Sequence, residues 1–501
     1  MNDVNAKYRS VATLIFEGNY PPPGKYIVRY QGQGQIEHRG AGEKVKAESR
    51  PGRHVVLLRP SDKVAYWIEL TAIQSDNPIR DIQIIPPGGI CKNQPLLTVD
   101  SVANCNDASD TFISFEELAD KQRFHPALLR DATGFRTLRF MDWGNTNANP
   151  LARWADRPQL SDRTWASPKG VPLEVMFELA NKAAATPWIN LPADADDNYV
   201  REFARLARKQ LSEQSNLILE YSNEPWNQAF AVAKTLAERG KALWPNANAS
   251  AAVLRHNAYA RRSAQICLLA KAEFGNQAHR VQCVVNAQAA VATNTDLMLN
   301  CALARSELGK PCSAYFDAVA IAPYFAGYIG NLAFRTEVQR WLQEPDRGTS
   351  KLFEEVFGHD TEGKRITPPL ASVGSKAPGG ALALAKDWTH SSKKVADLHK
   401  LPLWAYEGGQ HLAMHPGDSS DAFFSLMKAA NRDERMVLAY DQMLRNWSAE
   451  GGQIFAYYNH IGGVKKWGSF GLKEGPFDDS APKWRAVSRQ RDQVKCWWSK
   501  C

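Results

Sequence analysis

The strongest constraint on the fold is a change of rhythm after Pro86-Pro87-Gly88-Gly89. Beyond it, short apolar runs alternate with stretches of helical period. Runs near residues 137, 188, 217, 281, 317, 402 and 453 read as strands, and helices are expected at 126–132, 173–184, 199–211, 228–239, 250–274, 380–398 and 421–448. This alternation builds a parallel sheet with helices as crossovers. A closed (β/α)8 barrel needs one strand more. Ile82 to Ile85 is the candidate first strand, unless it ends the β region before it.

Residues 1–80 carry only short β-like runs: Thr13 to Phe16, Lys25 to Tyr30, His54 to Leu58 and Val64 to Leu70. Turn signals such as Pro21-Pro22-Pro23-Gly24 separate them, a spacing that suggests a sandwich or small barrel. The expected class is α/β: a (β/α)8 TIM barrel over 81–475, an N-terminal accessory β-sandwich-like module over 1–80, and a C-terminal tail over 476–501.

Two of the barrel runs end in glutamate. Leu217-Ile218-Leu219 leads into Asn223-Glu224-Pro225, and Pro225 cannot continue a ladder. Leu401 to Tyr406 leads into Glu407, and Gly408-Gly409 breaks the run. On such a barrel, chemistry gathers at the C-terminal ends of the strands. Two carboxyl groups there are what glycoside hydrolysis requires, one protonated to release the leaving oxygen and one ionised. Trp226 beside Glu224 favours the protonated form by burial. Either glutamate alone also reads as an ordinary turn residue. Glu220, on the same side of its strand as Glu224 by period-2 counting, reads as a buried partner for Arg139 or a lysine.

These residues resemble the motifs of clan A glycoside hydrolases, the retaining (β/α)8 superfamily that includes families 5, 39 and 51. Asn223-Glu224-Pro225 matches the strand-four motif that carries the acid/base. Tyr406-Glu407-Gly408-Gly409 is similar to the strand-seven nucleophile motif. The resemblance implies that Arg139, in Thr137-Leu138-Arg139-Phe140, and Tyr324, in Ala322-Pro323-Tyr324, support Glu407, and that Asn223 grips a sugar hydroxyl. Arg139 also reads as one half of an ordinary ion pair, and Tyr324 as a packing residue. Trp188-Ile189-Asn190-Leu191 lacks the histidine that family 5 carries near strand three, and Ala322 stands where that family has histidine. Family 5 itself is therefore disfavoured.

Fifteen tryptophans in 501 residues are many, and several sit near strand ends. Aromatic faces suit the apolar face of a sugar ring. Trp143, Trp226, Trp467, Tyr457 and Tyr458 are the expected platforms, with Asp142, Asn145, Asn147 and Asn459 as hydroxyl contacts, while Trp188 reads as core. His411 reads as part of a following helix, or as lining the cleft. The expected activity is endo-cleavage of a β-linked polysaccharide by a monomer. The same residues fit a transglycosylase, and the fold alone fits a non-catalytic carbohydrate binder.

Other classes are disfavoured. A net charge of +8 is dispersed, with no basic stripe interleaved with aromatics, so nucleic acid is not an expected partner. It leaves open an acidic polysaccharide. No apolar run approaches the ~18 residues of a membrane span. Asp194-Ala195-Asp196-Asp197 lacks the glycine and distal glutamate of a calcium loop and reads as a helix N-terminus. No metal or cofactor is expected. The eight cysteines include the close pairs 91/105, 301/312 and 496/501, which suggest disulfides and an oxidising compartment. A secreted or periplasmic protein whose signal peptide has been removed is expected, since no signal segment opens the chain.

Overall fold

The computed structural model describes residues 10–18, 21–59, 64–105 and 110–499. The chain divides into two compact units, Met1–Asp131 and Ala132–Cys501.

The first unit contains strands β1 (Ser10–Gly18), β2 (Gly24–Gln31), β3 (Gln35–Gly40), β4 (Gly42–Lys44), β5 (Arg53–Leu58), β6 (Val64–Thr71) and β7 (Arg80–Ile85). They form two antiparallel sheets, ordered β1-β6-β3 and β4-β5-β2-β7. Alternate residues of both sheets meet in one core of Tyr26, Val28, Ile36, Val56, Leu58, Tyr66 and Ile68. β7 is the run expected to open the barrel. It pairs antiparallel with β2 instead, Ile27 facing Ile85 and Val28 facing Ile84. The reason lies in its pattern: Arg80, Asp81 and Gln83 interrupt the isoleucines, as suits a strand with one wet face. A third small sheet of β8 (Gly89–Cys91), β9 (Gln94–Val99) and β10 (Phe112–Ser114) follows, tied by the Cys91–Cys105 disulfide. The unit thus runs to Asp131, well past the expected boundary at residue 80.

The second unit is built on a parallel sheet, β11 (Thr137–Arg139), β12 (Thr186–Leu191), β13 (Leu217–Tyr221), β14 (Val281–Asn286), β15 (Ala318–Ile321) and β16 (Leu403–Ala405), hydrogen-bonded in that order. The last expected run joins through a parallel bridge between Ala405 and Phe455. All seven expected positions are therefore occupied. Among the described residues no ladder joins β11 to the 453–457 segment, so the eight-stranded closure expected from the sequence is not present. Between these two edges lies a cavity of about 710 Å³, lined by Val487, Gln490, Val494, Trp497 and Trp498 among others.

Inward side chains follow the period of two: Ile218 from β13, Val284 from β14, Ala318 and Ala320 from β15, and Trp404 and Tyr406 from β16 and its end. Trp188 of β12 meets Trp404 with ring centroids 5.9 Å apart. The two alanines leave room for these indoles, the large-small complementarity a barrel interior needs.

Helices occupy the seven expected places, but 421–448 holds two, Asp421–Arg432 and Arg435–Ala449, and Ala292–Asn300, Arg335–Trp341 and Thr349–Phe357 were not expected. Asp196 caps Asp197–Gln210, its Oδ1 accepting from the Tyr199 amide at 2.6 Å, so the acidic run is a helix start. The helix Ala251–Phe274 is tied to β14 by Cys267–Cys283, a pairing the spacing did not indicate. Cys301–Cys312 forms as expected; the expected 496/501 pair involves Cys501, outside the described residues. The expected tail contains the helix Pro482–Gln493, whose Trp484, Ala486 and Val487 lie in the same core as Leu352, Phe423 and Tyr440. It is part of the second unit. Among the described residues no helix is long and apolar enough to cross a membrane.

Candidate active site

Glu224 and Glu407 stand beyond the C-terminal ends of β13 and β16 and line one cavity of about 370 Å³. Because β7 belongs elsewhere, Arg139 ends the first strand of this sheet, Glu224 follows the third, Tyr324 the fifth and Glu407 the sixth. Their order is as expected, with every strand number lower by one.

The turn after β13 is tight. Ser222 and Glu224 both adopt left-handed backbone, at φ 60° and 42°. Non-glycine residues held there cost about 1–3 kcal/mol each. Hydrogen bonds hold the turn: Asn190 Nδ2 donates to the Ser222 carbonyl at 2.8 Å, and the Asn227 amide to the Glu224 carbonyl at 2.9 Å. After Glu407 the chain passes close to Phe455. A Cβ on Gly408 would lie 2.3 Å from that ring, and Gly409 sits at φ 144°. The two glycines let the strand end bend against its neighbour.

Arg139 joins the parts. Its Nη1 donates to Glu407 Oε1 at 2.7 Å, and its Nη2 to Asn223 Oδ1 at 2.8 Å. Nε and Nη2 both reach Glu220 Oε2, at 3.1 and 3.0 Å. The guanidinium also lies over the rings of Tyr406 and Trp188, 5.0 and 5.6 Å from their centroids. Glu220 is wholly buried and accepts in addition from Trp188 Nε1 and Asn286 Nδ2, both at 2.7 Å. Its reading as the arginine's buried partner matches. Burial opposes the charge on Arg139, but Glu220 and Glu407 outweigh it and raise its pKa.

The two candidate carboxyls have different surroundings. Glu407 receives Arg139 on one oxygen and the Tyr324 hydroxyl on the other, at 2.9 Å. Glu224 receives only neutral donors: the Tyr406 hydroxyl on Oε1 and Asn227 Nδ2 on Oε2, each at 2.9 Å. Burial raises Glu224, opposed by those two hydrogen bonds. Burial also raises Glu407, opposed by the Arg139 cation, while the neighbouring Glu224 adds to the rise. Burial, then the adjacent carboxylates, lift the Tyr324 and Tyr406 hydroxyls well above their ordinary range, so both remain donors.

Asn223, Tyr324 and Trp226 line the cavity with the two glutamates. Six other expected contacts do not. Trp143 packs on Phe140, with ring centroids 5.4 Å apart. Asn145 donates to the Pro168 carbonyl at 2.8 Å within its own loop. Tyr457 turns outward and donates to Gln490, leaving the adjacent Tyr458 to face the cavity. Asn459 and Asp142 reach each other at 3.5 Å. Trp467 is 57% exposed on a loop. Nearness to a strand end does not fix a side chain's direction, and that was the only signal behind these six.

Other residues complete the site. Asn147 lines the cavity and accepts from Asn223 Nδ2 at 3.0 Å. Tyr406 was legible through its period-2 relation to Trp404, and Asn227 through its place one turn after Glu224. Trp388, on the helix Ala381–Leu398, forms part of the wall. His411 lines the cavity from a loop and belongs to no helix. Its ring stacks edge-on against Tyr324 and Phe470, at 5.3 and 5.2 Å.

The one grouping of metal-binding residue types among the described residues is Cys267, Cys283 and Asp317. Its cysteines are disulfide-bonded, and Asp317 pairs with Lys271 at 2.9 Å.

No protein-family model matches the chain, and no curated protein matches it. Among solved structures it is similar to an α-L-arabinofuranosidase from Thermotoga maritima in complex with arabinose, at 10% identity over 74% of this chain and 64% of that one, TM-score 0.41. It is also similar to AbfB, a family 51 α-L-arabinofuranosidase from Bifidobacterium longum, at 9% identity over 74% and 66%, TM-score 0.43. A GH5-4 broad-specificity endoglucanase from Bacteroides salanitronis gives 12% identity over 73% and 94%, TM-score 0.33. This chain spans less than two thirds of the length of the two arabinofuranosidases. All three are glycoside hydrolases; at these values the likeness assigns neither family nor substrate.

Proposed function

We propose that this protein is a retaining glycoside hydrolase acting on a β-linked polysaccharide. The observation that carries the reading is the asymmetry of the two buried carboxyls in one cavity. A cation touches Glu407 and none touches Glu224. When the pair holds one proton, it rests on Glu224, because ionised Glu407 keeps its ion pair and Tyr324 hydrogen bond.

Glu224 then donates that proton to the glycosidic oxygen while a Glu407 oxygen attacks the anomeric carbon. The leaving sugar departs as an alcohol and a glycosyl ester remains on Glu407. Glu224, now ionised, takes a proton from water. That water attacks the anomeric carbon, releasing product with retained configuration and freeing Glu407. Arg139 and Tyr324 hold the nucleophile, and Asn223 and Asn147 face the sugar beside it. The aromatic walls favour an internal stretch of polysaccharide over a free terminus. The protein acts as a monomer, and its three disulfides fit maturation in an oxidising compartment.

The test is an assay of wild type and Glu224→Ala on β-glucans, mannans, xylans and bacterial exopolysaccharides, with azide added to the variant. Expected are wild-type cleavage, its loss in the variant, and partial recovery with azide as a β-glycosyl azide. Cleavage that survives the substitution removes Glu224 from this role. Binding without cleavage across the panel replaces the enzyme with a carbohydrate-binding protein.

A further inference from the structure

We infer that the sugar ring held between Glu224 and Glu407 carries no carboxylate: the site takes neutral glycosides and excludes uronides. The inference rests on the glycosidase reading and names its substrate class.

The observation is a charge inventory of the cavity. Among the described residues its wall contains no lysine or arginine, and its only carboxyls are Glu224 and Glu407. Burial keeps His411, the one imidazole in the wall, below its ordinary pKa and so neutral at pH 7. Arg139, the cation that touches Glu407, is committed to acceptors of its own. All three of its nitrogens are engaged with Glu220, Glu407 and Asn223, and its side chain is only 6% exposed. At the rim Asp142 accepts from the Tyr458 hydroxyl at 3.3 Å, adding another acidic group. The eight excess positive charges of the whole chain, which left an acidic polysaccharide open, therefore stand elsewhere.

What the wall offers instead are rings and neutral hydrogen-bonding groups, among them Trp226, Trp388, Phe470, Asn147, Asn227 and Gln288. Amides both donate to and accept from sugar hydroxyls, and rings cover C–H faces. A uronic acid is ionised at neutral pH and would bring its charge beside ionised Glu407. At an effective dielectric of about 20 and a separation of about 6 Å, two like charges repel by roughly a hundredfold in binding. The carboxylate would also lose its water without gaining a cation.

The experiment compares three 4-nitrophenyl glycosides within each hexose series: the hexoside, the uronide and the methyl ester of the uronide. The expected result is kcat/KM lower by about 10²-fold for the uronide than for the hexoside, with substantial recovery in the ester, which has the bulk but not the charge. A uronide cleaved as well as its hexoside overturns the inference and leaves the glycosidase reading standing. Uronide and ester equally poor overturn it too, since size would then be the filter. If no member is cleaved, the polysaccharide panel decides the glycosidase reading, and binding of the same trio, read by tryptophan fluorescence, decides the charge question. Hexoside and ester binding over uronide upholds charge exclusion; equal binding, or none, overturns it.

Discussion

The two ends of the parallel sheet differ in what they do with charge. At the end where the strands begin, a cavity of about 660 Å³ is lined by Arg136, Asp317, Lys393, Asp397 and Lys400 among others. Lys393 pairs with Asp397 at 2.5 Å, one helical turn away, and Arg136 is exposed over the Trp498 ring. At the end where the strands finish, the cavity is about half that size, and its charges are buried and interlocked through Arg139. Arg136 precedes and Arg139 ends the same three-residue strand. Water screens the first; the second has lost its water and needs its acceptors. Volume does not single out a site here. Desolvated charge does.

The contrast can be broken from the strand-end side first. Glu407→Ala is expected to lower kcat by at least about 10⁴-fold, as removal of a covalent nucleophile does. Glu224→Ala should cost about 10²–10⁴-fold on substrates with poor leaving groups and erase the basic limb of the pH profile. Steady-state assays over pH check both. Arg139→Met comes next. It strands Glu220 and Glu407, and is expected to lower stability by about 3–5 kcal/mol in denaturant unfolding. Because Arg139 lowers the Glu407 pKa, and Glu407 must be ionised to attack, the acid limb of kcat/KM should move to higher pH. An acid limb that stays in place would contradict the role given to this arginine.

Tyr406→Phe should act more weakly. The hydroxyl lowers the Glu224 pKa, so its loss is expected to shift the basic limb upward and leave the acid limb the smaller mover. At the opposite end, Arg136→Ala and Lys393→Ala are expected to leave kcat/KM unchanged and to alter stability by less than about 1 kcal/mol, the scale of exposed cation–π and ion-pair contacts. A large activity loss from either would erase the distinction between the two ends.

Much of this was legible in the sequence because strands with both faces buried announce themselves as apolar runs. Six strands and the bridged run near 453, the placing of both glutamates at strand ends, and a buried cationic partner for Glu220 followed from such runs and the period of two. Three things did not. Ile82 to Ile85 was ambiguous, since a half-wet strand and a barrel strand differ only in polar interruptions such as Gln83. Tyr457 and Tyr458 are adjacent and face opposite ways, so aromatic content near a strand end could not say which one faces the cavity. Trp388 and His411 reach the cavity from a helix and a loop whose paths no local pattern encodes.

The residues along the open seam of the sheet tie the structure to the order in which it is made. Trp497 donates its indole N–H to the Gly452 carbonyl at 2.7 Å, and Trp498 lies under Arg136 at the start of β11. A ribosome adding about 5–20 residues per second reaches these tryptophans about 20–70 s after it passes β11. For that interval the first strand has an uncovered edge, a state that invites chaperones or a neighbouring nascent chain. The edge of β11 is therefore shielded only once Trp497 and Trp498 have been made, and a substitution at either acts on that late step.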